Sequence, residues 1–154
     1  MIVEVFPNLF VGDADGIPEA KKCGMFIIHA AKEPWHRERL GYTGRSAPKD
    51  DERYLYDIDN WTMWCNLVDA QDVKYIPDEL VADIIAVMRV LLDDDRHPIF
   101  IHCNKGESRA PAVALCYLLK HVPGYTVAMF KRSYPAYAPG PGMAAYLEKF
   151  IDNL

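Results

Sequence analysis

Between Ile99 and Val122 an apolar strand, a short polar turn and an almost wholly apolar helix follow one another without a break, and no other stretch restricts the fold so tightly. Ile99-Phe100-Ile101 is a β-branched and aromatic run of the kind that fills the middle of a sheet. Pro111 to Val122 offers almost no polar face, so that helix must be buried. His102-Cys103-Asn104-Lys105-Gly106-Glu107-Ser108-Arg109 is then a tight loop at the C-terminal end of a buried strand. In open α/β sheets, ligands bind at such ends.

The flanking sequence fits this frame. Ile2 to Phe6 and Leu9 to Val11 read as strands, Ile17 to Cys23 as a short helix, and Met25 to Ala30 as a further strand. Lys32 to Arg53 turns polar, with Gly41, Gly44 and Pro48 as breakers, and reads as a long surface loop. Ile76, Leu80, Ile84, Val87, Met88 and Leu91 recur at helical spacing, with Pro77 in the first turn and an end near Asp93. Two more helices are expected at Thr126 to Ser133 and Met143 to Asn153, joined by a Pro/Gly-rich link from Pro135 to Gly142. The expected class is α/β, with a central, mostly parallel sheet flanked by helices. At 154 residues and 51% hydrophobic, the chain fills one core and falls short of two, so residues 1–154 read as a single domain.

A net charge of −5 gives no electrostatic reason to expect nucleic acid or an anionic membrane as partner, so any phosphate site must be a local positive focus. No apolar run is long enough to span a bilayer, and MIVEVFPNLF, lacking a basic lead, reads as a first strand rather than a signal peptide. Cys23, Cys65, Cys103 and Cys116 are widely spaced, without a CxxC pair or a zinc-like Cys/His pattern. That argues against a disulfide scaffold and a metal site, and a reducing cytoplasm is the expected location.

The chemistry concentrates in the polar loop. Successive backbone N–H groups of a short loop, added to the unpaired N–H groups opening a helix, form a concave anion site. Gly106 supplies the backbone freedom such a curl needs. The same field favours Cys103 as thiolate, the nucleophilic form. Arg109 can reach back across the loop and bind two phosphate oxygens at once, a geometry lysine lacks.

HCNKGESR matches the H-C-x5-R signature of protein tyrosine phosphatases and resembles the HCxxGxSR form of the dual-specificity phosphatases. FPNLFVGD, FIIHAA, NLVDAQD and SYPAYAPGPGM are similar in order and spacing to that family, so the resemblance spans nearly the whole chain, weakest from Lys32 to Asn60. It implies a phosphatase-like fold without metal or cofactor, and attack of Cys103 on a phosphate monoester to give a cysteinyl-phosphate. It also implies that Asn104, Lys105, Gly106, Glu107, Ser108 and Arg109 bind the phosphoryl group of a phosphorylated protein. The substrate so implied is phosphotyrosine, with phosphoserine and phosphothreonine beside it. The general acid implied is an aspartate on an upstream loop: Asp69, with Asp72 as competitor.

The sequence departs from the family at two places. Ala110 stands where a Ser or Thr hydroxyl helps the sulfur leave, and Gly140 stands where an Asn often braces the loop. Glu107 is a further oddity, a carboxylate in an anion-binding loop that must point to solvent or pair with a base. These departures keep open a phosphate-binding module with weak turnover. A non-protein phosphate, such as a phosphoinositide or an RNA 5′-phosphate, is the other alternative, although the loop holds only one lysine.

The remaining polar and reactive residues have plainer readings. Cys23, Cys65 and Cys116 read as small buried hydrophobes. His102 reads as a buried residue orienting its neighbours, and His29, His36, His97 and His121 as surface or hydrogen-bonded histidines. Trp35, Trp61 and Trp64 read as core or loop anchors. Arg37, Arg39 and Arg45 read as a solvated face, with recognition of an acidic substrate as the sharper alternative.

Overall fold

The structure, a computed structural model, describes residues 1–154. Six strands form one sheet: β1 (Ile2–Phe6), β2 (Leu9–Gly12), β3 (Phe26–His29), β4 (Tyr56–Asp59), β5 (Thr62–Cys65) and β6 (Ile99–His102), in the order β1-β2-β6-β3-β5-β4. The β2-β6, β6-β3 and β3-β5 pairings are parallel, while β1 and β4 pair antiparallel at the two edges. The expected mostly parallel sheet is thus parallel at its centre and mixed overall. β3 and β6 are buried at every position, as central strands covered on both faces must be.

Side chains of β6 alternate between two layers. Ile99 and Ile101 enter the main core with Ile28, Val11, Leu80, Ile84 and Leu115. Phe100 points the other way, joining Ile27 and Ala20. Ala20 belongs to α1 (Ile17–Lys22). The larger face carries α3 (Asp78–Arg89), α4 (Arg109–His121), α5 (Val127–Ser133) and α6 (Pro141–Asp152). α3 buries Leu80, Val81, Ile84, Ile85 and Met88, the stripe of an amphipathic helix. α4 buries every residue from Ala110 to Leu118. It is the central helix of its layer, packed against α3 and α6 as well as the sheet.

Two expectations need correction. The polar stretch from Lys32 is not a continuous loop, because a helical turn leads into α2 (Arg37–Leu40), which ends at Gly41 in the left-handed region. The hairpin of β4 and β5 then lies between Arg53 and Ile76, where the sequence reading assigns no element. Its turn residues Asn60 and Trp61 both take positive φ, 49° and 59°, the requirement of a tight twisted hairpin usually met by Asn-Gly. Trp61 lacks that signature and, at 60% exposure, is not a core residue.

Candidate active site

The parallel strands β2, β6 and β3 end in register, with Gly12, His102 and His29 side by side. The chain leaving β6 at this line becomes the polar loop and then α4. Cys103 is 3% exposed, and its Sγ accepts the Ala110 N–H at 3.5 Å, so the sulfur sits at the opening of α4 where the helix dipole is positive.

Arg109 folds back over the loop. Its Nη1 donates to the Leu67 carbonyl at 3.0 Å and its Nη2 to Asn104 Oδ1 at 2.6 Å. Asn104 in turn donates to the Glu33 carbonyl at 3.2 Å. Burial pulls the Arg109 guanidinium below its usual range, while the charges of Cys103 and Asp69 pull it back up. An arginine stays cationic through such shifts. Two of its five N–H groups hold the protein contacts, leaving three for an anion.

Asp69, Cys103, Asn104, Lys105, Glu107, Ser108, Arg109, Ala138 and Gly140 line one cleft of about 340 Å³. Asp69 Oδ1 lies 3.2 Å from where a Cβ on Gly140 would stand, so the missing side chain makes room for this carboxylate. Asp72 is elsewhere, capping the helical turn Val73–Tyr75 by accepting the Lys74 N–H at 2.9 Å. Of the two aspartates the sequence leaves open, only Asp69 lines the cleft. Gly106 does not line it. At φ +72° it turns its Cα toward Gly12, and a Cβ there would come within 2.9 Å of the Gly12 carbonyl.

Behind the cysteine lies a buried pair of histidines. His102 Nδ1 faces the Cys103 carbonyl at 3.3 Å, which can only accept, so Nδ1 carries the proton and Nε2 accepts from His29 Nδ1 at 2.5 Å. Trp35 stacks on His29 at 5.5 Å and meets His102 edge-on at 4.6 Å. Burial pulls His29 down to about 3 and His102 to about 4, so both are neutral at pH 7.

Other residues fall outside the site. Arg37 forks onto Glu33, and Arg39 pairs with Asp57 and Asp59 while covering Trp64, so these arginines are engaged within the protein rather than free for an acidic substrate. Cys65 and Cys116 are buried as expected, and burial pushes the Cys116 thiol up to about 12. Cys23 is exposed, against expectation.

Sequence reasoning missed the support of the loop. Tyr134 donates its hydroxyl to the Gly106 carbonyl at 2.6 Å, the Ala138 N–H donates to the Glu107 carbonyl at 2.8 Å, and the Gly140 N–H donates to Ser108 Oγ at 2.9 Å. Backbone donors leave no signal in residue types. The tyrosine had none either, since its partner is a carbonyl 28 positions away.

No family model and no curated protein sequence matches the chain. Its structure, however, is similar to human DUSP28, with a TM-score of 0.67 at 21% identity, covering 99% of this chain and 93% of that one. A mouse putative dual specificity phosphatase, solved with zinc tungstate, gives a TM-score of 0.66 at 19% identity, over 99% and 87% of the two chains. The human tyrosine phosphatase-like serine/threonine/tyrosine-interacting protein gives 0.61 at 15%, over 99% and 96%. The chain therefore has the fold of the dual-specificity phosphatases, with the H-C-x5-R loop at the C-terminal end of its central strand.

Proposed function

We propose that this protein is a cysteine-dependent phosphatase that hydrolyses phosphate monoesters on proteins, phosphotyrosine together with phosphoserine and phosphothreonine. The observation that carries the reading is the meeting of Cys103, Arg109 and Asp69 on one cleft at the opening of α4. The guanidinium and the loop N–H groups would hold the three non-bridging oxygens, placing phosphorus over the sulfur. The Cys103 thiolate then forms a P–S bond as the P–O bond to the leaving group breaks. Asp69, as carboxylic acid, gives that oxygen its proton. In the second half, Asp69 as carboxylate takes a proton from water, whose oxygen attacks phosphorus and breaks the P–S bond. Orthophosphate leaves and the thiolate is restored.

Hydrolysis of p-nitrophenyl phosphate tests this directly. Wild type is expected to turn over and Cys103→Ser to be inactive; equal rates would overturn the reading. A panel of peptides bearing each phosphoresidue then decides the substrate.

One observation favours a second reading. Cys103 Sγ has the Ala110 N–H at 3.5 Å, and Ala110 brings no hydroxyl to assist departure of the sulfur. A protein that binds the phosphoryl group and releases it slowly is the result expected if that step limits. A burst of one product per enzyme followed by a slow steady state would mark it.

A further inference from the structure

An anion cradle made of backbone N–H groups works only if each peptide plane is turned the right way. In a trans peptide, the C=O of one residue and the N–H of the next point in opposite directions. Fixing a carbonyl on the outside of a curl therefore aims the following N–H at the inside. The loop from Cys103 to Arg109 has two such carbonyls held from outside, those of Gly106 and Glu107.

Gly106 is the softest point of the curl. At φ +72° its own backbone preferences leave the adjoining peptide free to flip. Tyr134, at the C-terminal end of α5, is 1% exposed and packs its ring against Phe130 at 5.9 Å. Its hydroxyl reaches the Gly106 carbonyl at 2.6 Å. Burial pushes that hydroxyl above its ordinary titration range, so it remains a donor. The next carbonyl, of Glu107, is held by the Ala138 N–H at 2.8 Å.

We propose that Tyr134 is a positioning residue of the phosphate loop: by holding the Gly106 carbonyl on the core side, its hydroxyl turns the Glu107 N–H into the anion cleft. Ala138 does the same for the Ser108 N–H through its backbone. Glu107 and Ser108 both line the cleft and Gly106 does not, as this arrangement requires. It also gives Glu107 a place in an anion site: its backbone serves the anion while its exposed side chain stays in water. With Gly140 in place of a bracing side chain, the loop is supported from the Tyr134 to Gly140 segment. The inference rests on the anion-binding half of the proposed function and not on turnover.

The test follows the amide signals of Glu107 and Ser108 by NMR in wild type and Tyr134→Phe, titrated with inorganic orthophosphate. In wild type both amide protons are expected to move downfield on saturation. In Tyr134→Phe the Ser108 shift persists and the Glu107 shift is largely lost. Orthophosphate binding weakens about tenfold, the worth of one hydrogen bond to a charged acceptor. A Glu107 amide that responds in Tyr134→Phe as in wild type overturns the proposal. If Tyr134→Phe does not fold, 4-fluorophenylalanine at position 134, which fills the place of the hydroxyl without an O–H to donate, replaces it, and an undiminished Glu107 response there overturns the proposal equally. A wild type that binds through Glu107 but leaves p-nitrophenyl phosphate intact sustains this inference and overturns the phosphatase reading.

Discussion

The two aspartates near β5 differ in what their carboxylates touch, and that difference separates an acid from a cap. Asp69 faces the cleft beside Gly140, whereas Asp72 is occupied by the Lys74 N–H. Asp69→Asn is expected to lower kcat for p-nitrophenyl phosphate by about 10²- to 10⁴-fold, the usual worth of a positioned general acid. Asp72→Asn should leave both kcat and stability near wild type, because the Asn Oδ1 still accepts the Lys74 N–H. Steady-state rates of the two variants check both statements, and the reverse result would exchange their roles. At Ala110 the side chain is buried and its N–H is on the sulfur. A hydroxyl added to the residue whose N–H meets the sulfur is expected to assist the thiolate in leaving phosphorus. Ala110→Ser should raise steady-state turnover and shrink any pre-steady-state burst, measured by rapid mixing; an unchanged steady state would mean that phosphoenzyme breakdown does not limit.

At the scale of elements, β3 and β6 are tied by a hydrogen bond between two side chains that must both be uncharged. Each histidine titrates near 6.5 when unfolded but only at about 3 (His29) and about 4 (His102) when folded. Between those values the unfolded chain binds more protons than the native one, so stability rises with pH and is lost as pH falls below 6.5. Each histidine contributes up to about 1.4 kcal/mol per pH unit. Summed over the buried pair, a loss of up to about 4 kcal/mol from pH 7 to pH 5 is the expected scale. Denaturant midpoints at pH 5, 6 and 7 measure it. His29→Gln retains an N–H for His102 Nε2 but removes one titration, and should make the slope markedly shallower. An equal slope in the variant would show that acid acts elsewhere. β3 and β6 were also the strands most legible in the sequence, because full burial forces an unbroken apolar run. β4 was not legible. It is a partly exposed edge strand whose pairing is set by a turn without glycine, and neither property leaves a periodic pattern.

For the molecule as a whole, the cleft joins parts of the chain far apart in sequence. The Arg109 side chain, at the opening of α4, links the Leu67 carbonyl after β5 to Asn104, which reaches Glu33 after β3. Cys103, Arg109 and the loop between them could be read from the sequence because all lie within one strand-loop-helix unit. Their partners Leu67, Glu33 and Ala138 could not, since they act through backbone carbonyls and N–H groups that do not depend on residue type; Tyr134 acts through its hydroxyl, but on a carbonyl 28 positions away. An anion that engages Arg109 should therefore brace several elements at once, and only in the folded state. Orthophosphate at one hundred times its Kd should stabilise the fold by about 2.7 kcal/mol, as any ligand exclusive to the native state does. In a chain of this size that raises Tm by about 5–10 °C. Arg109→Lys keeps the charge but not the fork, and should lose most of that rise. Thermal melts of both proteins with and without orthophosphate decide it. A rise of equal size in Arg109→Lys would mean that charge alone holds the anion, and that the bidentate geometry assigned to Arg109 is not what this cleft uses.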